Sequence, residues 1–154
     1  MKNKTKKIQI NKEGFSLAEL LIASAILIIA VTGILMSYLR CLELNEISRN
    51  SSLAVQAGKS RMEQIKATTF SQIKATYDNV VFNISNLNGK GVTYIDDSTS
   101  DLLVVTTSIS WKLRNGRIFG EDSNLNGQLD MGEDDNGNGV LDSPVLLVTR
   151  IFQG

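Results

Sequence analysis

Residues 20–39 read LLIASAILIIAVTGILMSYL, a run of 20 residues without a charged side chain. As an α-helix, with a rise of about 1.5 Å per residue, this run is roughly 30 Å long, which matches the hydrocarbon core of a bilayer. Five lysines precede the run within residues 1–14, and Arg40 follows it. Because basic residues favour the cytoplasmic side, the N-terminus is expected in the cytoplasm and the rest of the chain outside.

A cleaved secretion signal is the competing interpretation of this run. The apolar part of such a signal is usually only about 7–15 residues long and ends in a small-x-small cleavage site. After Leu39 the chain continues RCLELNEIS, which offers no such site. A transmembrane segment at residues 20–39 is therefore the favoured prediction.

The helix is expected to continue beyond the apolar run. Apolar or small residues recur mostly at spacings of three and four, which is typical of an amphipathic helix. They are Leu44, Ile47, Ala54, Gly58, Met62 and Ile65, with Ser51 in the gap. No proline interrupts residues 15–68, so we predict one helix over this range, half in the membrane and half amphipathic. A helix of this length needs neighbours beyond one small domain.

Residues 69–154 carry the pattern of a small β domain. Segments rich in β-branched and aromatic residues predict strands. These segments are residues 79–85, 91–95, 102–113 and 145–152. Asn115-Gly116 is a hairpin signal. The fold class is therefore α+β, with a small antiparallel sheet whose apolar face packs on the exposed half of the helix.

Glu19 lies one residue before the uncharged run, where a carboxylate is unexpected. An acid inside a membrane helix costs about 2.5–3.5 kcal/mol on insertion scales. Taken alone, Glu19 is equally well explained as the interfacial end of the span or as a functional group.

Residues 12–21, KEGFSLAELL, resemble the prepilin signature of type IV pilins and type II secretion pseudopilins. In that family a basic leader ends in Gly, a dedicated peptidase cuts after it, and the exposed Phe is N-methylated. The resemblance implies a leader of residues 1–14, cleavage between Gly14 and Phe15, and Glu19 as the fifth mature residue. An acid at that place can pair with the new amine of an adjacent subunit, which offsets the burial of both charges.

The resemblance also implies a pilin-like fold, a location and a set of partners. The partners are other pilins or pseudopilins, the prepilin peptidase, the inner-membrane assembly platform and membrane lipid. The location is the inner (cytoplasmic) membrane, with later transfer to a periplasmic or extracellular filament. Many major pilins carry a proline where this chain has Met36.

One branch of the family is most similar. The RMEQIK segment at residues 61–66, the strand that ends in Trp111 and the C-terminal Thr-Arg-Ile strand resemble PilV-type minor pilins and I-type minor pseudopilins. Met62 and Trp111 are equally well read as ordinary core residues.

Residues 122–133, DSNLNGQLDMGE, match the spacing of an EF-hand calcium loop. The predicted ligands are the side chains of Asp122, Asn124, Asn126, Asp130 and Glu133 and the backbone carbonyl of Gln128. Oxygen ligands without sulfur or imidazole favour Ca²⁺ over transition metals. The alternative is a solvated acidic turn.

A second, overlapping half-motif follows within the calcium-type loop of residues 121–143. Its predicted ligands are Asp134, Asn136, Asn138, the carbonyl of Val140, and Asp142. Its twelfth position is Val145, so it lacks a closing glutamate; it is either a weaker site or shares Glu133. Seven acids and no basic residue lie between Glu121 and Asp142, and their mutual repulsion favours a bound cation.

Two classes of function are disfavoured by composition. The chain has no histidine, which removes the usual general base, so no enzyme is expected. The basic start and acidic later segment do not form the clustered basic face that nucleic acid requires. The runner-up to a filament subunit is a membrane-anchored calcium-binding adhesin that never polymerises.

Overall fold

The computed structural model describes residues 14–153. Of the predicted leader, only Gly14 belongs to this part of the chain, and residues 1–13 lie outside it. The chain divides into two compact units, with the boundary after Leu42. The first helix contributes residues to both units.

In the first unit, helix α1 begins at Leu17; it ends at Lys66, in the second unit, after 50 residues. The side chains of residues 14–42 are all exposed, including Leu20 and Ile29 at 65% and 72%. Within residues 14–153, α1 is the one helix long and apolar enough to cross a membrane, by length and composition. The first unit is therefore compatible with a single-pass membrane protein.

The second unit contains a five-stranded antiparallel sheet. Its strands are β1 (Val80–Asn83), β2 (Gly89–Thr99), β3 (Leu102–Lys112), β4 (Ile118–Phe119) and β5 (Val145–Phe152). Strand β2 pairs with β1 and β3, and the predicted Asn115-Gly116 turn joins β3 to β4. Gly116 adopts a φ of 90°, a conformation that glycine allows at little cost.

Strands β4 and β5 share one edge of β3. Phe119 pairs with Trp111, and Val145 pairs with Ile109, two residues further along the same edge. Both strands run antiparallel to β3. The acidic segment, defined here as residues 121–144, therefore leaves this edge and returns to it.

The C-terminal part of α1 packs on one face of the sheet. Ala54, Met62 and Ile65 are buried in two clusters with side chains from the strands, as the spacing predicts. A Cβ on Gly58 would run into the side chain of Leu147, so glycine permits the close approach of helix and strand. The general α+β architecture, a long N-terminal helix on a small antiparallel sheet, is confirmed.

Two details of the helix face differ from the prediction. Leu44 is 65% exposed rather than buried, because the sheet contacts of α1 begin further along the helix. Asn50, not Ser51, occupies the buried position between Ile47 and Ala54, with 5% of its surface exposed.

A second short helix, α2 (Phe70–Tyr77), follows α1 and was not predicted. Ile73 is its one buried residue, and it joins the cluster that contains Met62 and Ile65. Phe70, Ile73 and Tyr77 have helical spacing and pack in this cluster, but eight residues are fewer than the window in which a helical period is recognised.

Candidate functional sites

The predicted processing site lies at the start of α1. Gly14 and Phe15 are both exposed, Phe15 to 85%. A Cβ on Gly14 would meet no atom within 4 Å. The fold of the described residues therefore does not require glycine at position 14.

Ser16 caps the first turn of α1. Its hydroxyl accepts a hydrogen bond from the backbone N–H of Glu19 at 3.2 Å, and its carbonyl accepts one from Leu20 at 3.2 Å. Ser followed three residues later by Glu is the capping-box pattern, in which the first helical turn also favours an acid. Glu19 is exposed and forms no ion pair with any residue of 14–153.

The acidic segment is held against the sheet at several points. The backbone N–H of Glu121 donates to the carbonyl of Asp142 at 2.8 Å, which joins the two ends of the segment. The backbone N–H of Leu141 donates to the hydroxyl of Tyr94 at 3.0 Å, and Leu141 itself is 1% exposed. A Cβ on Gly127 would meet the side chain of Val81, so the segment lies directly on the strands.

The first half of the segment turns its side-chain oxygens inward. The two carboxylate oxygens of Asp122 accept hydrogen bonds from the backbone N–H groups of Asn126 at 3.0 Å and Gly127 at 2.8 Å. The amide oxygen of Asn124 accepts the N–H of Asn126 at 2.9 Å, and that of Asn126 accepts the N–H of Gln128 at 2.6 Å. Four of the predicted ligand positions are thereby arranged around one turn.

Asp130 and Glu133 complete the first loop. Glu133 accepts hydrogen bonds from the backbone N–H of Ser123 at 2.9 Å and of Asp130 at 3.1 Å, which draws the end of the loop over its beginning. The side-chain amides of Asn124 and Asn126 both donate to one oxygen of Asp130 at 2.7 Å. All five predicted side-chain ligands of the first loop are therefore brought together.

The second loop repeats this geometry twelve residues later. Asp134 accepts from the backbone N–H groups of Asn138 at 3.0 Å and Gly139 at 2.9 Å. The amide oxygen of Asn136 accepts the N–H of Asn138 at 3.0 Å, and that of Asn138 accepts the N–H of Val140 at 2.9 Å. Each of these bonds has its counterpart in the first loop.

The backbone conformations repeat as well. Leu125 and Gly137, at equivalent positions, have φ values of 57° and 73°, and Gly127 and Gly139 have values of 77° and 79°. These are left-handed conformations, which are unfavourable for a residue such as leucine. Leu125 adopts one because the loop geometry requires it.

Glu121 is the residue that sequence reasoning missed. It accepts hydrogen bonds from the backbone N–H of Asp135 at 3.3 Å and of Asp142 at 2.7 Å. Glu133 makes the equivalent pair of bonds in the first loop, to the second and ninth residues. Glu121 therefore takes the closing position of the second loop, which the chain order assigns to Val145. The signal was the twelve-residue spacing between Glu121 and Glu133.

The charges of the segment are concentrated and uncompensated. Within residues 14–153, no lysine or arginine forms an ion pair with any acid between Glu121 and Asp142. Asp122 is 1% exposed, and this burial raises the pKa of its carboxyl, although backbone hydrogen bonds partly oppose the rise. Burial also acts on the pKa of Glu133, but hydrogen bonds from Ser123 and Asp130 outweigh it and lower that pKa.

The donor chemistry fits a hard cation. No three Asp, Glu, His or Cys side chains within residues 14–153 converge closely enough to hold a metal by themselves, so amide and carbonyl oxygens would have to complete the set. The amide oxygens of Asn124 and Asn126 each accept one hydrogen bond and retain a second lone pair. The carbonyl oxygens of Gln128 and Val140 accept no hydrogen bond from the described residues.

Tyr94, a residue of β2, lies close to both loops. Burial raises the pKa of its hydroxyl, and the nearby carboxylates of Asp122, Asp142 and Glu121 raise it further. The pKa of this one hydroxyl is thus raised by carboxylates of both loops.

Comparisons of the chain with protein-family models, with curated proteins and with solved structures returned no match.

Proposed function

We propose that this chain is the precursor of a pilin-like filament subunit, a minor pilin of a type IV pilus or a minor pseudopilin of a type II secretion system. The observation that carries the proposal is the Gly-Phe-Ser-Leu-x-Glu string at residues 14–19, placed at the start of a helix whose apolar residues at 20–39 are all exposed. A fully exposed apolar segment of this length requires either lipid or the helices of other subunits around it.

Two features of the structure support this proposal. Gly14 has no packing role in the described residues, so a recognition role explains it better than a structural one. The second unit combines the C-terminal part of α1 with a small antiparallel sheet, which is the architecture that the resemblance implies.

Processing at Gly14 is the first test. In a host that contains a prepilin peptidase, the mature chain should begin at an N-methylated Phe15, and Gly14→Val should leave the leader attached. Because an added Cβ at Gly14 meets no atom within 4 Å, the variant is expected to fold normally. Mass spectrometry of the N-terminal peptide measures the outcome.

Gly33→Val is the matched control, because a Cβ at Gly33 also meets no atom within 4 Å. It should be processed normally. An intact leader on the unmodified chain would contradict the pilin proposal and favour a membrane-anchored adhesin that does not polymerise.

We further propose that the acidic segment binds two Ca²⁺ ions as structural cofactors. Glu133 closes the first site and Glu121 the second, so the second loop neither lacks a closing acid nor shares Glu133. The repeated hydrogen-bond pattern and the buried carboxylate of Asp122 support this arrangement. Calcium would supply the positive charge that the described residues do not provide.

The role of Glu121 can be tested by counting ions. Glu121→Gln removes one oxygen anion from the second loop only, so the stoichiometry should fall from two Ca²⁺ to one at moderate calcium concentration. Isothermal titration calorimetry of the full chain in detergent, after removal of calcium, measures the number of sites. Glu133→Gln should likewise leave one site.

Asp135→Asn is the matched control. It removes one negative charge from the same segment, but the Asp135 side chain is exposed and makes no hydrogen bond to a described residue. Two sites should remain. Equal stoichiometry for Glu121→Gln and the unmodified protein would rule out Glu121 as a ligand.

A further inference from the structure

A groove of about 190 Å³ lies in the second unit, where α1 meets the loop before β2 and the end of β3. The helix lines it with Glu46, Arg49 and Asn50, and the other walls are residues 86–88 and 112–114. All of these residues belong to the second unit. This basic groove is separate from the acidic segment and from the N-terminal processing site.

Asn50 is a polar residue that the fold buries without a partner for its side chain. Only 5% of its surface is exposed, and its side-chain amide forms no hydrogen bond within residues 14–153. The amide atoms are nevertheless not sealed, because they are not among the unpaired polar atoms of this part of the chain that solvent cannot reach. A ligand in the groove that Asn50 lines can therefore reach this amide and satisfy it.

Three basic side chains also line the groove. Arg49, Lys112 and Arg114 are all exposed, and none of them forms an ion pair within the described part of the chain. Glu46 is the one acid among the described lining residues, and one of its oxygens already accepts the backbone N–H of Arg114 at 3.0 Å. The groove therefore carries an excess of positive charge that is directly accessible to a ligand.

The lining groups are suited to a phosphate. Arginine donates paired hydrogen bonds to phosphate oxygens, and lysine supplies a compact positive charge. The side-chain amide of Asn50 adds a neutral N–H₂ donor. The groove is smaller than the roughly 300–1,000 Å³ of sites for drug-sized molecules, so it fits a small polar group rather than a large ligand.

The groove is also close to the predicted membrane segment along the chain. Glu46 follows Leu39, the last residue of the uncharged run, by seven residues, and α1 is continuous over this interval. Seven residues of helix rise about 10 Å, and the headgroup layer extends about 5–7 Å beyond the hydrocarbon core. Long basic side chains extend their charged ends toward such an interface. The phosphates of lipid headgroups are therefore within reach of this part of the chain.

We propose that the basic groove binds the phosphate of an anionic lipid headgroup. Arg49, Lys112 and Arg114 supply the positive charge, and Asn50 donates its unpaired amide to a phosphate oxygen. The proposal rests on the membrane span of residues 20–39, which is part of the proposed function, and does not depend on filament assembly.

The test is a titration of the full chain in an uncharged detergent, followed by the NMR amide signals of Asn88 and Leu113. The probes are dihexanoyl phosphatidylglycerol, dihexanoyl phosphatidylcholine, which has the same tails but no net charge, and glycerol 3-phosphate. Saturable shifts are expected with the anionic lipid and not with the neutral one. These signals report on the groove and not on the five lysines of residues 1–14. Glycerol 3-phosphate that binds as tightly as the anionic lipid would overturn the assignment to a lipid.

The double variant Arg49→Gln with Arg114→Gln should bind the anionic lipid about tenfold or more weakly, because each basic group near an anionic surface contributes about fivefold. The matched control is Lys59→Gln with Arg150→Gln, which removes two exposed positive charges that do not line the groove and should leave binding unchanged. If the first variant fails to fold by circular dichroism, Lys112→Gln replaces it and should weaken binding about fivefold. Equal binding by the groove variant and the unmodified chain would overturn the proposal.

Flotation of the full chain with phosphatidylcholine vesicles measures the membrane span separately. Both double variants should float as the unmodified chain does, because residues 20–39 are unchanged. Flotation without a saturable shift in the titration would overturn the proposal for the groove and leave the filament proposal intact. A chain that does not float would overturn the membrane span, and both proposals with it.

Discussion

Removal of calcium should lower the melting temperature of the full chain by roughly 20 °C, the largest effect expected for any change in solution conditions. At a free calcium concentration one hundred times the Kd, one site stabilises the folded state by about 2.7 kcal/mol. For a unit of this size, 1 kcal/mol shifts the melting temperature by about 4 °C, so each site contributes about 10 °C. Without the ions, buried Asp122 and its neighbours repel one another with no counter-charge.

The measurement is a thermal melt in detergent, with EDTA or with millimolar calcium, followed by the fluorescence of Trp111, which is buried in the core of the second unit. A double variant, Glu121→Gln with Glu133→Gln, should melt at one temperature under both conditions. An unmodified chain that melts equally with EDTA and with calcium would remove the calcium proposal, while leaving the filament proposal intact.

Replacement of Glu19 should abolish incorporation into a filament, the largest effect expected for any single substitution. Loss of one partner from a buried ion pair costs about 3–5 kcal/mol, because the other charge stays buried without compensation. That corresponds to a loss of more than about a hundredfold in the association constant. Glu19→Gln is the preferred variant, because glutamine at this position also suits the capping box that begins at Ser16.

Sheared and purified filaments, probed for this subunit, measure the incorporation. Glu63→Gln is the matched control, since Glu63 is an exposed acid of the same helix whose pair with Lys66 is a surface contact. Normal incorporation of Glu19→Gln would show that the helix cap, and not a charge between subunits, is the reason for an acid at this position.

The elements that the sequence predicted well are those with a strong local signal. The uncharged run and the spacing of Ala54, Gly58 and Met62 predicted α1, and Asn115-Gly116 predicted the turn between β3 and β4. These features depend on residues that are close together in the sequence, so they can be recognised without a structure. Helix α2 was missed because it is fixed by the packing of Ile73, a contact made at long range.

The positions of the proposed calcium ligands follow only in part from local sequence. The ligand spacing of both loops is local, and the structure brings those residues together. Glu121 precedes the loop that it closes, whereas the motif is read forward to a twelfth residue, Val145. Glu121 reaches this position because its backbone N–H donates a hydrogen bond to the carbonyl of Asp142 at the other end of the segment. No local sequence pattern predicts that contact.

The acidic segment is inserted between β4 and β5, which pair with the same edge of β3. Phe119 faces Trp111 and Val145 faces Ile109, so Gly120 alone would bridge the gap opposite Ser110 if residues 121–144 were absent. The hairpin partner of β3 would then be one uninterrupted strand in unchanged register. Two loops of twelve residues are thus inserted here without a change in the register of the strands that flank them.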